Sequence, residues 1–102
     1  MGSYTFRLFV TGDTRRSRQA AENLRALCDA RVADLYELEV IDVLDHPELA
    51  EEDKIIATPT VIRLLPLPHR REIGDLSDLG LAAIALELPD TQEAPNAAGD
   101  RT

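Results

Sequence analysis

YTFRLFVTGDTRRSRQAAENLRALCDARVADLYELEVIDV (residues 4–43) settles the fold class, because its hydrophobic period changes twice within forty residues. In residues 4–10, Tyr4, Phe6, Leu8 and Val10 alternate with Thr5, Arg7 and Phe9, the period of a strand with one well-buried face. Thr11-Gly12-Asp13-Thr14 is turn and cap chemistry. Beyond it Ala20 or Ala21, Leu24 and Leu27 or Cys28 recur at helical spacing among charged residues, which predicts a long amphipathic helix to about Ala30. Residues 36–43 are β-branched and apolar with Glu37 and Glu39 interposed. They read as a second strand, parallel to the first across the helix, completing a βαβ unit.

Working outward, Asp45-His46-Pro47-Glu48 carries the features of a helix start: a capping aspartate, a proline in the first turn and a glutamate three residues after the cap. A short helix is expected at 47–55. Ala57-Thr58-Pro59-Thr60 then leads into a β-rich run at 61–65, which Pro66 and Pro68 end because neither can donate to a ladder. Residues 70–73 fit an edge strand. Gly74-Asp75 makes a turn, and Asp75 or Ser77 can cap a last helix over 76–88. Within it Ile84 and Leu88 are helix neighbours, yet Ile84, Leu86 and Leu88 also alternate with Ala85 and Glu87 as in a strand, so periodicity leaves both open.

The order β-α-β-α-β-β-α is that of a thioredoxin-like α/β domain. Thr58-Pro59 falls where that fold places a cis-proline, an ordinary trans proline opening a strand being the other reading. After Pro89 the composition turns to Asp, Thr, Gln, Asn, Gly and Pro, which could not offset the entropy of ordering. The expected organisation is one domain over residues 1–88 and a disordered polar tail over 89–102.

Composition narrows the function. Hydrophobic residues make up 44% of the 102, with two Phe, two Tyr and no Trp, so aliphatic side chains must build the core. Eleven Lys and Arg against nineteen Asp and Glu give a net charge of −8. That balance opposes binding to nucleic acid and favours protein partners. No apolar run is long enough for a bilayer and no signal-peptide pattern opens the chain, which points to the cytoplasm. The single cysteine, Cys28, agrees with a reducing compartment.

A redox enzyme of thioredoxin type would need a nucleophilic cysteine where the first strand ends, and Thr11-Gly12-Asp13-Thr14 holds that place. Cys28 falls near the C-terminal end of the first helix and reads as a small core residue. His46 and His69 belong to no metal-binding pattern, and no cofactor is expected. Glu48, Glu51, Glu52 and Asp53 read as the exposed face of a short helix. No phosphate cradle or serine elbow is present, and no catalytic residue is expected. Two basic clusters stand out, Arg15, Arg16 and Arg18 at the first helix start and His69-Arg70-Arg71 after the prolines. Either is a solvated face or meets an acidic protein surface.

Val40-Ile41-Asp42-Val43-Leu44, Pro47, Leu49-Ala50-Glu51-Glu52-Asp53-Lys54-Ile55, Ala57-Thr58-Pro59-Thr60, Leu64-Leu65-Pro66-Leu67-Pro68, Arg70-Arg71 and Ile73-Gly74-Asp75-Leu76-Ser77, in this order and spacing, resemble the KaiB family of circadian clock proteins. The resemblance covers residues 4–88. It implies a regulator without catalytic activity that binds the first ATPase ring of a KaiC-type hexamer, with KaiA or a histidine kinase as further partners. It also implies two folds: a thioredoxin-like monomer, and a tetramer that keeps the first βαβ unit and refolds the rest as strand, helix, helix, strand.

The resemblance places candidate partner contacts at Arg7, Lys54, Arg63, Arg70 and Arg71. Pro59, Pro66, Pro68, Gly74, Asp75 and Ala85 become structural or switch positions. Glu39, Gln19 and Asp13-Thr14-Arg15-Arg16 depart from the lysine, arginine and Asn-Thr-Pro-Asn of many cyanobacterial members, on the surface expected to face KaiC, and leave open a cyanobacterial KaiC or a divergent one without KaiA as the partner. Ala85, where glycine is usual, favours the helix and hence the thioredoxin-like state. The rivals are a KaiB-like stress-signalling adaptor and, from another class, a thioredoxin-like oxidoreductase.

Overall fold

The computed structural model describes residues 3–90. Seven elements follow in the expected order: β1 (Tyr4–Val10), α1 (Arg15–Arg31), β2 (Tyr36–Asp42), α2 (Pro47–Glu52), β3 (Thr60–Leu65), β4 (Arg70–Ile73) and α3 (Leu79–Ala85). They form a four-stranded sheet of order β2-β1-β3-β4, with β1 and β2 parallel and the other pairs antiparallel. This is the thioredoxin-like α/β fold. The expected tail lies beyond the described residues.

α1 starts where Thr14 accepts a hydrogen bond from Ser17 N–H at 3.1 Å, a side-chain cap for one of the orphan donors of the first turn. Its first turn holds Arg15 and Arg16 and no acid, which opposes the helix dipole, so the helix owes its stability to packing. Ala20, Leu24, Leu27 and Cys28 fall on one stripe and bury against Phe6, Leu8 and Val10 of β1 and Val61 of β3. Leu76, Ala82, Ala83, Leu86 and Leu88 join the same cluster, so α1 and α3 share one face of the sheet. Each fully buried Leu or Phe contributes about 1.5–3 kcal/mol.

The second face differs from expectation. Phe9 is fully buried there with Ile41 and Ile62, under Val43, Leu49, Ala50 and Ile55. The first strand therefore buries side chains on both faces, because α2 and the segment after it cover the second. α2 is shorter than the predicted 47–55: Asp53 closes it and Lys54 takes a left-handed φ of 55°. Its N-cap is His46 without a side-chain hydrogen bond, not Asp45. α3 is likewise shorter than 76–88, since Leu76 turns left-handed at φ 62° and Asp78, not Asp75 or Ser77, caps it by accepting from Leu81 N–H at 3.0 Å.

Thr58-Pro59 is cis, as are Leu65-Pro66 and Leu67-Pro68. Gly74, at φ 119°, sits where an L side chain would be strained, and its N–H donates to the Pro59 carbonyl at 2.8 Å. Asp75 ties the start of the last segment to α1 by accepting from Asn23 Nδ2 at 2.7 Å on its carbonyl.

Candidate functional site

Register places Glu39, Arg7, Ile62 and Arg71 in one row across all four strands, on the face that α2 only partly covers. Arg7 fills the middle of the row, with Nε 3.3 Å from the Glu39 carboxylate and Nη1 3.1 Å from that of Asp53. Burial disfavours the Arg7 charge, but the hydrogen bonds and charges of Asp53 and Glu39 outweigh it and hold the guanidinium above its ordinary pKa. Arg71 reaches the same corner, donating to the carbonyls of Asp53 at 2.8 Å and Lys54 at 3.3 Å. Those bonds fix the turn that presents the exposed Lys54 side chain. Asp53 is thus an internal counter-charge, not simply part of a solvated acidic face.

The other two arginines go elsewhere. Arg70 lies on the α1/α3 face and pairs with Glu87 at 2.9 Å. Arg63, expected as a partner contact, is 3% exposed and donates to the carbonyls of Leu86, Glu87 and Pro68. In this fold it is a buried anchor, because its strand position is in phase with the core residue Val61. Of the five candidate contacts, Arg7, Lys54 and Arg71 come together and Arg63 and Arg70 do not.

Beside Lys54 runs a groove of about 260 Å³ lined by Thr11, Val43, Ala50, Ile55, Ile56, Ala57 and Thr58. Ile56 stands 88% exposed on its rim and Leu44 is 68% exposed nearby. Sequence reading passed over both. The available signal was the Ile55-Ile56 doublet, since a segment leaving a short helix can bury only one of two adjacent side chains.

The groove lies where a redox thioredoxin-like domain carries its chemistry. Here the Thr11 and Thr58 hydroxyls hydrogen-bond to each other across it. Asp42 accepts from the N–H groups of Gly12 at 3.0 Å and Leu44 at 2.9 Å. Those two bonds hold its carboxyl below the usual range and fix the two loops. Cys28 is fully buried in α1, and burial followed by the charge of Asp29 pushes its thiol up to about 12. A thiol so placed is neither nucleophile nor ligand. Among the described residues no cluster of His, Cys, Asp and Glu is arranged to hold a metal ion, and no helix is long and apolar enough to cross a membrane.

The positions expected to be structural or switch residues fall in two groups. Pro59, Gly74 and Asp75 meet beside the groove's end of β3, whereas Pro66 and Pro68 border the Arg63 anchor at its other end. Ala85 closes α3, half-buried.

Comparison with known proteins bears on this geometry. The family model described as the KaiB domain matches residues 7–97. The circadian clock oscillator protein KaiB of Parasynechococcus marenigrum is 47% identical over 95 residues, 93% of this chain and 91% of that protein. The protein of the same name from Synechococcus elongatus is 49% identical over 86 residues, 84% of each chain. Among solved structures, the N-terminal domain of Synechococcus elongatus SasA superposes with a TM-score of 0.70 at 24% identity, over 82% of this chain and 80% of that one. Mitochondrial thioredoxin 3 from Saccharomyces cerevisiae gives 0.66 at 15% identity, over 85% and 79%. At those identities the two structures attest the fold alone.

Proposed function

The chain belongs to the KaiB family, and from that premise we propose that it is a non-catalytic clock regulator that docks onto the first ATPase ring of a KaiC-type hexamer in the cytoplasm and modulates its cycle. One observation carries the proposal. The thioredoxin-like frame has threonines where redox chemistry would sit, and beside them an apolar groove lined by Ile55 and Ile56, the residues that directly follow the exposed Lys54, whose turn Arg71 holds. An apolar patch edged by cations suits a protein partner with an aliphatic side chain flanked by carboxylates.

A second packing of the C-terminal half, assembling as a tetramer, is part of the same proposal. The exposure of Leu79, Leu81 and Ile84 on α3 supports it, because these side chains would find cover in another arrangement. The pairing of Arg7 with Glu39 favours a partner system without KaiA, since the departure at Glu39 neutralises a charge the docking face would otherwise present. A stress-signalling role, with a KaiC-like ATPase or a histidine kinase as partner, would use the same surface.

Interferometry against the KaiC-type ATPase of the same genome tests the docking face. Lys54→Glu and Arg71→Glu should each weaken binding tenfold or more, about 1.4 kcal/mol, and Arg25→Glu on the exposed side of α1 should leave it unchanged. Equal loss in all three variants would refute the assignment of the face. Insulin reduction at the rate of buffer alone is expected, and turnover would restore the oxidoreductase alternative.

A further inference from the structure

α2 and α3 end in the same turn. At the end of α2 the Ile55 N–H donates back to the Ala50 carbonyl at 2.9 Å and the Lys54 N–H to that of Glu51 at 3.1 Å, and Lys54 is left-handed at φ 55°. At the end of α3 the Leu88 N–H donates to the Ala83 carbonyl at 2.9 Å and the Glu87 N–H to that of Ile84 at 3.1 Å, and Glu87 is again at φ 55°. Both are Schellman turns, whose left-handed position usually goes to glycine because a Cβ is strained there.

An arginine from the sheet clamps each turn. Arg71 of β4 donates to the carbonyls of Asp53 at 2.8 Å and Lys54 at 3.3 Å, and Arg63 of β3 to those of Leu86 at 2.9 Å and Glu87 at 3.3 Å. The α2 turn has a further tie, since Arg7 of β1 meets the Asp53 carboxylate at 3.1 Å. The two strained side chains differ in use. Glu87 serves the fold, paired with Arg70 at 2.9 Å. Lys54 is exposed, and among the described residues no carboxylate pairs with its ammonium. The helix dipole favours a cation at the end of α2, but a lysine in the last helical turn would gain as much without strain. Strain kept at a side chain that the fold does not use marks a contact outside the chain.

We infer, on the docking proposed above, that Lys54 is the cation of this face that meets the partner, and that Arg7, Asp53 and Arg71 are positioning residues that lock its turn. Its ligand is a carboxylate next to an aliphatic side chain, because Ile56, 88% exposed, stands two residues on. The Arg7 guanidinium is already engaged by Glu39 and Asp53.

Interferometry of the full chain against the KaiC-type ATPase of the same genome, beside unfolding in urea, tests the lock. Lys54→Gly should weaken binding tenfold or more and yet raise the folded-to-unfolded ratio roughly threefold, because the strain leaves with the side chain. Ala33→Gly, at the left-handed end of α1 with φ 52°, should raise the ratio alike and leave binding unchanged. Arg71→Lys keeps the charge and loses the fork. It should weaken binding about tenfold in the wild-type chain and less than about twofold on top of Lys54→Gly. Equal losses in the two backgrounds would make Arg71 a contact in its own right and overturn the lock. A Lys54→Gly chain that binds as the wild type does, or that is less stable, would overturn the role of Lys54. A wild type that does not bind the ATPase refutes the docking itself, and the urea ratios of Lys54→Gly and Ala33→Gly then decide on the strained turn alone.

Discussion

Between residues 4 and 43 the strands and the helix of the βαβ unit bury Phe6, Leu8, Val10, Ala20, Leu24, Leu27 and Cys28 in one continuous cluster. Between residues 47 and 88 the elements are four to seven residues long and leave Ile56, Leu67, Leu81 and Ile84 mostly exposed. Among the described residues, three of the four non-glycine positions with positive φ, Lys54, Leu76 and Glu87, fall in that second half. Beside the apolar contacts of Val61, Leu76, Ala82, Ala83, Leu86 and Leu88, its polar ties come from Arg63, Arg70, Arg71 and Asn23. The first half is thus fixed by apolar burial along long elements. The second adds directional contacts to apolar burial that is spread over shorter elements.

The sharpest way to break this contrast is thiol chemistry. The Cys28 thiol is pushed up to about 12 from an ordinary value of 9.0 and is fully buried. Its alkylation near pH 8 should run about a thousandfold slower than in the denatured chain, the factor expected from three pKa units. A reporter at Ala83→Cys, in a Cys28→Ala background, should react faster, because α3 is only seven residues long and leaves Leu79, Leu81 and Ile84 exposed. Equal rates would erase the contrast. The sign for stability follows from a folded pKa raised above the unfolded one: this thiol stabilises the fold fully below about pH 9, and the contribution is lost as pH rises toward 12.

Next in size is core truncation. Leu24→Ala should cost about 3 kcal/mol in a denaturant titration, whereas Ile84→Ala, 73% exposed, should cost under about 0.5 kcal/mol. Two matched cap deletions sharpen the point. Thr14→Ala and Asp78→Ala each remove one side-chain acceptor at a helix start, worth about 1 kcal/mol. The first should shift the whole unfolding transition, while the second should show as faster exchange in α3 alone. The smallest effect is that of Asp42. Its carboxyl is held below 3.8 by two backbone N–H bonds, so the stability it lends is present above that pH and is lost as pH falls through the lowered value. Asp42→Asn should flatten the acid limb of the stability profile.

Legibility followed the same division. The βαβ unit could be read from periodicity because one helical stripe and one strand face were both aliphatic, and the element order beyond it followed from Pro, Gly and Asp punctuation. Phe9 escaped because alternation names one buried face, and the second face is buried only where α2 covers it. Arg63 was taken for a partner contact, although its phase with Val61 turns it inward, where it pairs with Phe6 next to a register shift between β1 and β3. The exposed Lys54 and its neighbour Ile56 owe their positions to a left-handed turn that no local pattern specified.

Light scattering of the purified protein across concentration, alone and then with the KaiC-type ATPase of the same genome, bears most directly on the proposed function. The account predicts self-association that reverses on dilution and a slowly forming particle heavier than the ATPase ring. A species that never adds mass to the ring at any concentration would contradict it.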